Sequence, residues 1–336
     1  MSSHMSEAKP ATATSVGDMR RSAAAFLFAG SRGPLIGLVL LCLVLSVSTD
    51  TFLTVRNILN VMDQITVIGI MAIGMTLVIL IGGIDLSVGS ILAIAMMVMG
   101  YVGHPDYMNL SLPVGILAGL AVAALCGLGS GLMITAMGLP PFIATLAMMS
   151  VARGLANIIT DGSQIVGFPD WFTSLSIVRH FGFVSLTVAL MILLTVATGI
   201  FLKYRATGRN LYAIGGSPEV ARLSGIPVRR LTNWVYAVCG LLAGLAGVVL
   251  AARLDSVQPS SGLGYELDTI AAVVIGGASL SGGVGSIGGT AVGVLIIGVL
   301  RNGLNLLGVS PFIQQIIIGV VIALAVATDA WKRRAK

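Results

Sequence analysis

Ten stretches of this 336-residue chain are apolar over lengths close to that of a bilayer crossing: 34–49, 62–82, 86–102, 112–137, 140–160, 183–203, 231–252, 267–281, 286–307 and 311–330. A helix needs about 20 apolar residues to cross the hydrocarbon layer. Inside lipid every backbone polar group must be satisfied internally, which selects helices for such runs. The first and eighth stretches are short, and the eighth, around "TIAAVVIGGASL", is expected to be a broken or half-spanning helix. Only 10% of the residues are charged, against about a quarter in a soluble domain, too few to cover a water-facing surface. The fold class is therefore an all-α polytopic membrane protein of about ten transmembrane helices.

Basic residues orient it. Of 19, four lie at the start (Lys9, Arg20, Arg21, Arg32), six in the segment 203–230 (Lys203, Arg205, Arg209, Arg222, Arg229, Arg230) and four at the end (Lys332, Arg333, Arg334, Lys336). Lys and Arg collect on the cytoplasmic side. Six stretches before the central segment and four after it return the chain to that side each time, so both termini are expected in the cytoplasm. Asp50, Asp63, Asp106, Asp161, Asp170, Asp255, Glu266 and Asp268 then fall outside. The net charge of +6 reflects topology, and no basic–aromatic interleaving points to nucleic acid.

The domain plan is an N-terminal tail over 1–33, a membrane domain over 34–331 with a cytoplasmic loop at 204–230, and a C-terminal tail over 332–336. "MSSHM" has the look of an expression remnant, with Met5 a candidate natural start, and residues 1–5 are set aside. Arg20 and Arg21 precede an apolar run, but no convincing cleavage site follows. The run is read as an uncleaved first helix.

The loop at 204–230 carries a set of helix-capping signals. Ser217 suits the N-cap, Pro218 the first helical position and Glu219 the positive helix start. Arg222 suits the last turn, Gly225 a left-handed C′ position, and Pro227 stops continuation. A helix is expected at about 218–224, with Val220 and Leu223 on one face. Seven residues make only about 10 Å of helix, which is not stable alone in water. Packing on its own membrane domain and docking to a cytoplasmic partner both satisfy that need.

Two glycine motifs are related. "IGGIDLSVGS" (81–90) resembles "IGGASLSGGVGS" (275–286): Gly82-Gly83 match Gly276-Gly277, Leu86-Ser87 match Leu280-Ser281, and Ser279 replaces Asp85. Weak internal symmetry of this kind marks broken helices in transporters. Gly82 and Gly83 are expected to break the second helix, with Asp85 and Ser87 accepting from the free amides that open the third. Asp85 reads either as a cap or hinge or as a contact for substrate or ion. Arg153, in "MMSVARGLANI", either faces a pathway or anchors its helix against carbonyls or Asp85. A looser echo pairs "GLPPFI" (138–143) with "GVSPFI" (308–313), on opposite sides under this topology.

Several chemistries lack their residues. "GVGSIG" (283–288) fits a dinucleotide pattern by spelling alone, with no acidic residue about 20 positions on. There is no G-x-x-x-x-G-K-[ST], so the chain does not bind ATP through that motif. His4, His104 and His180 are scattered; His104 and His180 read as solvated loop residues. Cys42, Cys126 and Cys239 read as small buried hydrophobes. No catalytic or metal cluster is visible.

At "GGIDLSVGS" and "GRNLYAIGGSPEVARLSGI" the chain resembles the permease subunit of bacterial ribose-type ABC importers, in the branched-chain amino acid/ribose permease superfamily. The resemblance runs over nearly all of 34–331, through "PPFIATLAMMSVARGL" and "LDTIAAVVIGGASLSGGVGS". It implies a transport subunit of the bacterial inner membrane, not an enzyme. A second permease copy or close homologue would complete the path, and a periplasmic sugar-binding protein would deliver cargo. A separate cytoplasmic ATPase, using ATP and Mg, would grip the central loop. The docking residues it implies are Arg209, Asn210, Gly215, Gly216, Ser217, Pro218, Glu219, Val220, Arg222, Leu223 and Gly225. An ion-coupled secondary transporter using Asp85 and Arg153, and an amino-acid-type permease of the same superfamily, are the alternatives.

Overall fold

A computed structural model describes residues 32–180 and 182–334. The tail carrying Lys9, Arg20 and Arg21, the side chain of His180 and the side chains of the basic C-terminal tail lie outside the described residues.

Each of the ten apolar stretches holds a helix. In chain order the helices are α1 (Arg32–Ser48), α2 (Val55–Leu80), α3 (Val88–Gly103), α4 (Leu112–Thr135), α5 (Pro141–Ile158), α6 (Asp170–Ile177), α7 (Leu186–Tyr204), α8 (Ala206–Gly216), α9 (Pro218–Leu223), α10 (Val228–Leu254), α11 (Tyr265–Ile275), α12 (Ile287–Leu306) and α13 (Pro311–Arg334). By length and composition α2, α4, α5, α7, α10 and α12 are able to cross a membrane, while α1, α3 and Pro311–Leu324 of α13 are shorter apolar helices. Two boundaries depart from the sequence reading. The second helix begins at Val55, not 62, because Thr54 caps it by accepting from the Asn57 amide at 3.3 Å. The eighth, read as 267–281, is helical only to Ile275.

Most of α2, α3 and α10 is buried, and α4, α5, α7 and α12 surround them with one face open. Close approach rests on small residues. The buried positions of α4 are chiefly Gly115, Gly119, Ala123, Gly127, Ser130 and Gly131, a stripe at helical spacing. A Cβ at Gly127 would strike the Tyr236 carbonyl of α10, and one at Gly240 the Ala123 carbonyl of α4. Lipid gives apolar helices no reason to associate, so backbone contact of this kind supplies the dispersion that holds them. Leu117, Leu125, Leu193 and Ile200 are exposed on the outer faces, where lipid chains would solvate them.

The two ends differ. At the hairpin end, β1 (Ile165–Val166) pairs antiparallel with β4 (Ser256–Val257), and β2 (Arg179–His180) with β3 (Val184–Ser185). Arg179 reaches Asp63 at 2.8 Å, Asp255 accepts from the Phe168 amide at 2.8 Å, and Asn57 and Asn302 exchange amide hydrogen bonds at 3.0 and 2.9 Å. His104 also lies here and is buried: its Nε2 meets the Val166 carbonyl at 3.0 Å and its Nδ1 accepts from the Asp106 amide. That corrects its reading as a solvated residue; a buried imidazole with both nitrogens partnered is a structural rivet. The opposite end carries α8, α9 and the glycine loops. The two "PFI" segments open α5 and α13 at opposite ends, the first beside Ile84 and the second beside Asn305.

Candidate functional site

At the α9 end, the six residues of α9 are fixed by their caps. Ser217 Oγ accepts from the Val220 amide at 3.3 Å, Pro218 opens the helix, and Gly225 takes a positive φ of 81°. The Ile226 amide then closes onto the Ala221 carbonyl at 3.1 Å. Ala221 is buried, while Val220 is 61% and Leu223 80% exposed. The apolar face of α9 therefore has no cover among the described residues, although its backbone is held by its caps. Arg222 and Glu219 flank that face.

The segment just before α9 is also helical. Gly208, Leu211 and Ile214 of α8 are buried, Arg209 Nη1 donates to the Tyr204 carbonyl at 3.2 Å, and Tyr212 donates to the Gly285 carbonyl at 3.1 Å. The sequence reading takes the segment holding Gly208, Gly215 and Gly216 as part of a loop, and the structure makes it a helix.

Those glycines have a partner. α2 ends at Leu80, followed by Gly82 at φ 78° and Gly83. Past α11, Gly277, Gly282 and Gly283 are also left-handed, at 94°, 87° and 73°. The two related motifs lie against one another: Gly283 donates to the Leu80 carbonyl at 2.9 Å, and a Cβ on Gly82 would come within 3.3 Å of the Ser281 carbonyl. A Cβ on Gly215 would strike the Leu80 carbonyl and the Gly283 amide, and Gly216 lies beside Gly283. Three backbones thus meet with no side chain between them: the end of α2, the loop after Gly276, and the end of α8 that leads into α9. Ser279 closes that loop through the Val284 carbonyl, and Ser286 caps α12 by accepting from Gly289 at 3.0 Å. The G-x-G-x-x-G spelling at 283–288 is part of this packing.

Asp85 is fully buried in the break between α2 and α3. Its Oδ1 accepts from the Ser87 amide at 2.9 Å and from Ser87 Oγ at 2.5 Å. Its Oδ2 has no hydrogen-bond partner among the described residues. Asp85 accepts from Ser87, the residue just before α3, rather than from the amides of the helix's first turn, and Ser87 is not an acceptor either, since its hydroxyl donates to Asp85 and caps nothing. Arg153 is remote from this pair in bonding: its Nη1 donates to the carbonyls of Pro259 and Ser261. Asp85→Ala leaves two buried donors on Ser87 unanswered, at a cost of about 1–3 kcal/mol. Asp85→Asn keeps an acceptor at Oδ1. Thermal unfolding in detergent should fall for the alanine variant well beyond the asparagine one, with the ranking of transported solutes unchanged in both. A changed ranking without loss of stability would give Asp85 a contact with solute instead.

Comparison with known proteins now decides the family. The chain matches the family described as "Branched-chain amino acid transport system / permease component" over residues 57–326. It is a member of that permease family. Among curated proteins it is 45% identical to the ribose import permease protein of Bacillus subtilis (strain 168), over 89% of this chain and 92% of the relative. It is 37% identical to the fructose import permease protein of Rhizobium meliloti, over 90% and 85%. It is 38% identical to the L-arabinose transport system permease protein of Escherichia coli (strain K12), over 90% and 92%. No solved structure matches the chain.

The permease is thus a multi-pass transport component and not an enzyme. Among the described residues no group of His, Cys, Asp and Glu is placed to hold a metal. Three further charged residues, Glu266, Asp268 and Arg301, lie among the packed helices. Glu266 and Asp268, expected outside, open α11 well away from the hairpin end. Asp268 is paired with Arg301 of α12, and Glu266 lies beside Gly89 of α3. The signal was present: Asp268 falls inside the eighth apolar stretch and Arg301 inside the ninth.

Proposed function

We propose that this permease is the membrane-spanning subunit of an ATP-driven importer of monosaccharides in the bacterial inner membrane. The observation that carries this is the near full-length similarity to import permeases for ribose, fructose and arabinose. Those cargoes differ in ring and carbon number but share a neutral, hydroxyl-covered surface, so they support the class of cargo. In this reading the helices make ten crossings, both termini are cytoplasmic, and α8 and α9 face the cytoplasm. A second permease copy completes the path, a periplasmic binding protein delivers the sugar, and a separate ATPase uses ATP and Mg.

The exposed pair Val220 and Leu223 is the grip for that ATPase, with Arg209 through Gly225 forming the docking surface. ATP-bound and ATP-free motors hold α9 in different positions, and only that difference moves the equilibrium of the path. Motion of α9 passes to α8 and α10 directly. It passes to the end of α2 and the loop after Gly276 through Gly215, where backbone touches backbone. Stripping a sugar of water costs roughly 1–3 kcal/mol per unpaired hydroxyl, so a weak site in the membrane suffices once an external protein supplies capture.

The test is uptake in proteoliposomes holding the permease, its ATPase and its binding protein. Labelled ribose, arabinose and fructose are offered beside leucine. ATP-dependent uptake of at least one sugar is expected. Uptake that persists without the ATPase and collapses with the proton gradient would establish a secondary transporter; uptake of leucine alone would establish an amino-acid permease.

A further inference from the structure

The chain between β4 and α11 is not helical, yet it runs deep along α3. Val257 of β4 packs at Gly100 of α3, and Gly262 packs at Gly89. Eleven residues of helix separate those two glycines, so the segment descends about 16 Å along α3 from the hairpin end. Over that descent it is a series of turns, closed by Ser261 onto the Gln258 carbonyl at 3.1 Å and by Tyr265 onto the Gly262 carbonyl at 3.2 Å. Non-helical backbone at membrane depth persists only where protein buries it or where it borders water.

One side of this segment is buried against α3, and the other is open. Ser260 is exposed, and Gln258, Ser261 and Glu266 are half-buried. The open side is also polar. Gln258 Nε2 donates to Gln164 Oε1 at 2.9 Å. Arg153 reaches across from α5 to hold the Pro259 and Ser261 carbonyls. Glu266 Oε1 accepts from the Gly264 amide at 3.2 Å. Amide and hydroxyl groups thus succeed one another in depth along the segment, and the Glu266 carboxylate follows them at its deep end, beside Gly89 of α3. Hydrocarbon cannot solvate such a row.

We propose that Gln258, Ser260 and Ser261, held in place by Arg153 and followed in depth by Glu266, line the path along which a neutral polyhydroxyl solute crosses the membrane. Arg153 and Glu266 are of opposite sign, and Arg153 is taken up by the Pro259 and Ser261 carbonyls, so the side chains offered to a neutral solute are chiefly amide and hydroxyl. Amides and hydroxyls both donate and accept, as sugar hydroxyls do, so each hydration bond given up is replaced without a strict orientation. Arg153 is a positioning residue here, fixing the backbone that presents the serines. This inference rests on the monosaccharide-import reading.

The test uses the complete importer in intact cells. Ser260→Cys should react with a membrane-impermeant maleimide above the background of the wild-type chain, whose cysteines are Cys42, Cys126 and Cys239. Leu193→Cys, on the open apolar face of α7, should not. Gln258→Leu combined with Ser260→Val should slow sugar uptake about thirtyfold, since two lost partners at about 1 kcal/mol each come to about 2 kcal/mol. Ser260→Cys as unreactive as Leu193→Cys, or full uptake by the double variant, would overturn the proposal. Failure of the wild-type importer to move any monosaccharide would instead refute the import reading, and maleimide labelling would still report whether the row faces water.

Discussion

Leu223→Asp is expected to leave the permease inserted and folded while lowering ATP-driven uptake by about two orders of magnitude, the effect of losing a central apolar anchor of an interface. Leu223 is 80% exposed, so its side chain supports little among the described residues, and an aspartate there is solvated in the free subunit. Its cost appears only when a partner covers it, where a carboxylate without a counter-charge is desolvated. Val220→Asp, on the same face, should behave alike. Ser217→Ala serves as the graded control: it removes the cap bond to the Val220 amide, worth about 1 kcal/mol, and loosens α9 without altering its face. Measured together, uptake, ATPase activity and co-purification with the ATPase should show the aspartate variants losing the partner and the cap variant keeping a weakened one. Normal uptake by Leu223→Asp would remove α9 from the coupling path.

The structural features legible in the sequence were those set by local rules. Ten apolar stretches each contain a helix, the caps of α9 sit on the residues whose chemistry suits them, and α2 ends at the glycine pair. What escaped depends on contacts remote in sequence. Gly208 and Gly215 weaken α8 by propensity, yet their lack of a Cβ is what lets α8 lie against α7 and the end of α2. Propensity disfavours a helix there and packing makes one. The run "QPSSGLGYELD" was misplaced for a related reason. The count of crossings puts Glu266 and Asp268 outside, whereas the chain descends along α3 in turns before α11 begins, which carries both acids away from the hairpin end. His104 looked solvated because nothing near it in sequence announces the Val166 carbonyl. Ser87 was given the acceptor role on capping statistics, but a carboxylate two residues earlier outcompetes a hydroxyl as acceptor.

The second large effect falls on the pair that ties α11 to α12. Asp268 is 2% exposed, in the first turn of α11, and its carboxylate bonds Arg301, whose side chain is about a third exposed. The two halves of the pair are therefore unequal. Arg301→Leu leaves a buried carboxylate without its counter-charge and should destabilise the permease by about 3–5 kcal/mol. Asp268→Asn leaves an arginine whose long stem reaches water, and an asparagine still able to accept a hydrogen bond, so its cost should be clearly smaller. Replacing both, as Asp268→Leu with Arg301→Leu, removes the buried charge altogether and should recover most of the loss. Thermal unfolding in detergent across the three variants reads the order directly, with Arg301→Leu lowest. Equal losses for the two single variants would mean that the buried carboxylate is not the dominant cost. Since α11 begins where the polar row ends, Arg301→Leu should also lower maleimide labelling of Ser260→Cys relative to the same cysteine in the otherwise wild-type chain, because the half-helix that anchors the row loses its tie to α12.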